Sequence, residues 1–159
     1  MYALPKGVFL YIISFLALFI SYMPYDLGVF GIVRIDFLMI VLFYWMSQRE
    51  DTCPASYILF LGVIIDVLSN MTLGSHTIAY LIMHFIIIYA SKQKILGTVF
   101  GWYISMIISI VAAYSFIWLS LIIKDSSYIR DYSYAYSALL TIGAFPIIIF
   151  VFKKLLRAR

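Results

Sequence analysis

Apolar positions in this chain fall into six blocks, separated by short breaks that carry glycine, proline or charge. The first block runs from about Gly7 to Met23 and stops at Pro24. The second, "DFLMIVLFYWMS", covers about Asp36 to Ser47, the third about Pro54 to Ser69, and the fourth about Ser75 to Ala90. A long fifth block spans about Gly97 to Ile123, and the sixth about Tyr134 to Phe152. A membrane-crossing helix needs about 20 apolar residues at about 1.5 Å rise each. The blocks therefore predict an all-α polytopic membrane protein, with about six transmembrane helices in one membrane domain over residues 1–159.

Blocks two and three are short for that task. The twelve residues of block two reach about 18 Å as a helix, against a hydrocarbon core of about 30 Å. It falls short unless "GVFGIVRI" joins it, which would draw Arg34 toward the membrane. Block three reaches about 24 Å, with Asp66 about 18 Å from its start. Short, glycine-interrupted segments persist at membrane depth only where protein or a water-filled cavity covers them. Spans two and three, with the turn "SNMTLG" after them, are expected to be protein-covered.

Basic residues orient the bundle. Six spans place Lys6, Arg49, Lys92, Lys94, Lys153, Lys154, Arg157 and Arg159 on one side, and Arg34, Lys124 and Arg130 on the other. The positive-inside rule then puts both termini in the cytoplasm. Composition excludes a soluble domain: 65% of residues are hydrophobic, 11% are charged, and the mean hydropathy is +1.07. About 25% charged residues are usual in a globular domain, so this chain cannot cover a water-facing exterior. The net charge of +4 is concentrated in the tail, where basic residues anchor a span and meet anionic headgroups rather than nucleic acid.

The single cysteine, Cys53, has no disulfide partner and no companion at metal-binding spacing. Lys6 and the run after it could open a signal peptide, but "SYMPYDLG" lacks the small residues a signal peptidase needs, so retention as a first span is expected. Tyr44, Trp45, Trp102, Tyr103, Tyr128, Tyr132, Tyr134 and Tyr136 lie near block ends, where aromatic rings with polar tips prefer the headgroup level.

Few residues offer chemistry. Asp66 sits inside an apolar run, where an ionised carboxylate costs about 2.5–3.5 kcal/mol at the bilayer centre. Three readings stand open for it. It accepts hydrogen bonds from Ser69, Asn70 or Thr72 and from the free N–H groups that open span four; or it grips a partner helix; or it handles an ion or proton. His76, Tyr80 and His84 recur every four residues on one helix face, which reads first as interhelical packing and second as a relay with Asp66. No third or fourth ligand accompanies them, so neither a metal nor another cofactor is expected. Glu50 and Asp51 beside Arg49 read as a solvated turn. The chain has no nucleophile elbow, P-loop or dinucleotide fingerprint, so no catalytic residue and no enzyme activity are expected.

The order of "RIDFLMIVLFYWMSQ" and "LGVIIDVLSNMTLGSH" resembles the core of the MreD family of bacterial rod shape-determining membrane proteins. Arg34, Tyr44, Trp45, Gly62, Asp66, Leu73 and Gly74 carry the resemblance, which extends in length, span number and basic tail over the whole chain. Ile35-Asp36 stands where the family often shows Pro-Asn or Pro-Asp. The resemblance implies a non-enzymatic scaffold of the cell-wall elongation complex in the cytoplasmic membrane. It would contact an MreC-like protein directly and share a complex with MreB, RodZ, RodA and the elongation penicillin-binding protein. Asp66, Asn70, Thr72, Gly74, His76, Arg34, Tyr44 and Trp45 are then expected to form a partner-binding surface or a structural clasp. The family's fold is also similar to the S components of ECF vitamin transporters. That similarity implies an alternative, a small-molecule pocket within spans two to four with Asp66 or His76 as a polar contact. The coupling motif expected on the first helix of such a subunit is weak here, with only Ser14, Ala17 and Ser21 in place.

Overall fold

Each apolar block folds as an α-helix. The computed structural model describes residues 6–21, 25–26, 32–33, 35–48, 53–69, 71–125 and 132–157. The helices are α1 (Lys6–Ser21), α2 (Phe37–Gln48), α3 (Ala55–Leu68), α4 (Ser75–Lys92), α5 (Val99–Lys124) and α6 (Ser133–Arg157). Two of them, α5 and the Ser133–Val151 part of α6, are long and apolar enough to cross a membrane. The last helix runs through Pro146 and on to Arg157, so part of the basic tail continues it beyond the Phe152 boundary expected above.

The stretch before α2 does not extend that helix. Tyr25–Asp26 (β1) and Ile32–Val33 (β2) pair antiparallel, Tyr25 opposite Val33, and the β-branched Ile32 and Val33 suit that ladder. The start of α2 is instead set by Asp36, whose Oδ1 accepts the Met39 N–H at 2.8 Å in the manner of an N-cap. The shorter helix of 12 residues is enclosed by protein: Leu38 to Tyr44 and Met46 are all buried. Ser21, the last residue of α1, accepts the Leu38 N–H at 3.0 Å and docks the end of α1 on the start of α2.

α4 packs between α3 and α5 and also touches α2. α5 carries a buried stripe of small residues at every fourth position, Gly101, Ser105, Ser109 and Ala113, a pattern that permits close approach of helices in lipid. Against α3 the approach of α4 is close. A Cβ on Gly62 would lie 2.5 Å from Thr77 Cα, so only glycine lets these backbones meet.

Further from this contact, Phe43 of α2, Trp102 of α5 and Phe145 of α6 form a three-ring cluster with centroids 5.1 to 5.6 Å apart. Trp102 is therefore packed against the core rather than only anchoring a headgroup level. The outer surface is apolar: Phe15, Leu16 and Phe19 on α1, Phe60 and Val67 on α3, and Ile147 and Phe150 on α6 are exposed. Exposed apolar area this extensive marks a lipid or protein contact surface.

Candidate functional site

The close approach at Gly62 determines what the next turn of α3 can reach. Asp66 lies four residues on, so it shares the Gly62 face, and it meets the start of α4 with 1% of its surface exposed. The first N–H groups of any helix have no intrahelical acceptor, and the α4 turn presents them together. Asp66 Oδ2 accepts the Gly74 N–H at 2.8 Å, the Thr77 N–H at 3.3 Å and the Thr77 hydroxyl at 2.8 Å. Oδ1 accepts the His76 N–H at 2.7 Å and faces His76 Nδ1 at 3.0 Å.

Gly74 makes the turn possible. It is the N-cap of α4 with φ 101°, a left-handed conformation in which a Cβ is strained. Five donors therefore converge on a carboxylate that offers about four lone-pair sites. The carboxylate only accepts, so the hydrogen bond between the two side chains places a proton on His76 Nδ1.

Other expected members of the site divide. Ser69 does not bond the Asp66 carboxylate; its hydroxyl donates back to the Ile65 carbonyl at 2.7 Å, the usual local bond of a helical serine. Thr72 also misses the carboxylate. Its hydroxyl meets that of Ser75, and Ser75 accepts from Ser120 of α5 at 2.9 Å, tying the turn to α5. Asn70 and Arg34 lie outside the described residues. Tyr44 and Trp45 pack edge to face with centroids 5.9 Å apart. Tyr44 is buried, and the pair lies toward the far end of α2, about 12 Å along its axis from Asp36. They belong to the core and not to the Asp66 cluster.

The stripe on α4 leads to a second carboxylate that the sequence reading treated only as a helix boundary. The His76 and Tyr80 rings lie edge-on with centroids 6.1 Å apart, and the Tyr80 hydroxyl donates to Asp36 Oδ2 at 3.1 Å. Tyr80 is fully buried. The Asp36 N–H donates to Thr141 Oγ1 of α6 at 3.2 Å, and Tyr114 of α5 shares that hydroxyl at 3.2 Å. Asp36 thus joins the starts of α2 and α4 to α5 and α6. Its position directly before an apolar run was the available signal, because Asp there is an N-cap signature. His84 continues the stripe beside the Phe85 ring at 6.4 Å.

Among the described residues no group of three or more His, Cys, Asp or Glu could hold a metal. Cys53 is buried, and that burial pushes its thiol up to about 12, far from a nucleophilic thiolate.

An apolar-surfaced helical bundle, with Asp36 and Asp66 bonded to the starts of α2 and α4, defines a membrane protein organised around packing. The family model described as rod shape-determining protein MreD matches residues 4–159. The chain belongs to the MreD family, and is a bacterial membrane protein of the shape-determining system. No curated protein and no solved structure gave a significant match.

Proposed function

We propose that this chain is a non-enzymatic scaffold of the cell-wall elongation complex, multi-pass in the cytoplasmic membrane with both termini in the cytoplasm. It acts on cell shape through an MreC-like protein, with MreB, RodZ, RodA and the elongation penicillin-binding protein in the wider complex. The observation that carries this reading is the state of Asp66. Its carboxylate is consumed by the N–H groups of Gly74, His76 and Thr77 and by the Thr77 hydroxyl, which suits a part that holds a shape and not one that turns over a substrate. The clasp fixes the α3–α4 turn, and the exposed Leu73 at its tip offers an apolar contact for a partner helix. Phe43, Leu61, Tyr80 and Met83 are buried in the interior of α2 to α4.

Depletion in a rod-shaped host is expected to give rounded cells, and affinity purification from native membrane to recover an MreC-like protein. Normal rods after full depletion, with no second copy of the gene, would overturn the reading. Reporter fusions at both ends test the orientation, each expected to report cytoplasm.

A further inference from the structure

The helices α5 and α6 meet where Phe145 packs on Trp102 and again where the Tyr114 hydroxyl meets Thr141. Beside the second contact, toward the end of α5 and the start of α6, a gap between them has a volume of about 420 Å³. Val111, Tyr114 and Trp118 line it from α5, and Ala135, Ala138 and Ile142 from α6. The two alanines are what keep it open.

Position along the helices limits the occupant. Val111 lies at the middle of α5 (Val99–Lys124), and Ile142 at the middle of the apolar Ser133–Val151 stretch. Trp118 and Ala135 lie seven residues from these, so the groove is about 10 Å long. It runs from mid-membrane to the end where Tyr132 and Tyr134 stand, the ring type that favours headgroup level. This fits within one leaflet, about 15 Å deep. A spanning partner helix crosses both leaflets, about 30 Å, and would find no groove beyond Val111 and Ile142.

Chemistry narrows the occupant further. The Tyr114 hydroxyl is turned to Thr141, so the floor offers a ligand mostly carbon. Water needs two to four polar partners to stay in such a place, and an empty gap forfeits the dispersion contacts of its lining.

We propose that the groove between α5 and α6 seats an acyl chain of a membrane phospholipid, its methyl end near Val111 and Ile142 and its ester end near Tyr132 and Tyr134. The inference is independent of the partner and the orientation proposed above.

The test uses the full chain in phosphatidylethanolamine–phosphatidylglycerol vesicles that contain a phosphatidylethanolamine with a diazirine at the end of one acyl chain. Photolysis and peptide mass spectrometry are expected to place adducts at Val111 and Ile142 several-fold above those at Phe15, Leu16 and Phe19, which are exposed on α1. Ala138→Trp fills the groove and should reduce the adducts at Val111 and Ile142 to the α1 level. Ala135→Leu is a milder filling variant expected to act in the same direction. Leu140→Trp, on an exposed position outside the lining, should leave them unchanged. Equal labelling of α1 and the groove overturns the proposal. So does undiminished groove labelling in a monodisperse Ala138→Trp or Ala135→Leu protein, or cross-linking of those positions to a second protein chain in place of lipid.

Discussion

Replacing Asp66 by Asn tests whether the carboxylate is a clasp for the start of α4, because the amide keeps the shape and removes one acceptor. If the NH₂ takes the Oδ2 position it confronts three donors: the Gly74 N–H, the Thr77 N–H and the Thr77 hydroxyl. If it takes the Oδ1 position it confronts the His76 N–H and Nδ1, and a change of imidazole tautomer relieves the second of these. The second orientation is therefore favoured, with one backbone N–H left unsatisfied at about 1–3 kcal/mol. The retained bonds fall from charge-assisted to neutral strength, and the favourable interaction of a negative charge with a helix start, about 0.3–1 kcal/mol, is lost. Together these give a loss of about 2–4 kcal/mol. Asp66→Ala leaves three backbone N–H groups without their acceptor and should cost more, whereas His76→Ala removes only the ring contact, about 1 kcal/mol. Reversible unfolding in mixed micelles, read by tryptophan fluorescence, is expected to rank stability as wild type, then His76→Ala, then Asp66→Asn, then Asp66→Ala. An Asp66→Ala protein as stable as wild type would refute the clasp. An Asn variant of full stability that loses shape function would transfer the role to charge itself.

The second carboxylate should respond differently. Asp36 accepts from one backbone N–H and one hydroxyl, and the Tyr80 hydroxyl can turn to accept from an amide. Asp36→Asn is thus expected to cost less than about 1 kcal/mol in the same unfolding assay, and Tyr80→Phe a similar amount. Gly62→Ala places a Cβ 2.5 Å from Thr77 Cα and should destabilise by about 1–3 kcal/mol through overpacking. Gly143→Ala meets nothing within 4 Å and should be neutral or slightly stabilising, a contrast read by comparing their melting temperatures. With its thiol pushed up to about 12, Cys53 stays protonated between pH 7 and 9. Maleimide labelling of the folded protein should therefore remain low and flat across that window, and become complete only after denaturation.

The six helices were legible because the length and period of an apolar run are local properties. The brevity of α2 came from counting residues, and its enclosure by protein followed from the depth of the membrane. Asp66 stood out as a charge within such a run, and its bonding to the opening N–H groups of the fourth helix was a reading the residues allowed. The side chains of Ser69 and Thr72 were misplaced because proximity in sequence does not fix direction: Ser69 turns to a carbonyl one helical turn back, and Thr72 turns to Ser75. The Asp36–Tyr80 bond joins positions 44 apart and the Asp36–Thr141 bond positions 105 apart. Pairings of that range depend on how helices cross, which no local pattern encodes. The groove beside Ala135 and Ala138 was hidden for the same reason, since two alanines in a helix say nothing of whether its neighbour closes over them.

Both carboxylates answer one requirement. A helix that begins in the headgroup region hands its first N–H groups to water, but one that begins below it must find acceptors in protein. The 12-residue α2 starts with Asp36 as its own cap, and α4 starts with Asp66 supplied from the end of α3. The acid that looks misplaced in an apolar run thus stands in for the missing water. Gly62 and Gly74 act upstream of it: one brings the α3 and α4 backbones together, and the other adopts the turn that aims the N–H groups. An engineered α4 lengthened at its start, so that its opening N–H groups reach the headgroups, should make Asp66→Ala nearly neutral in unfolding. If that variant were destabilised as much as in the native-length helix, the acid would have a role beyond replacing water.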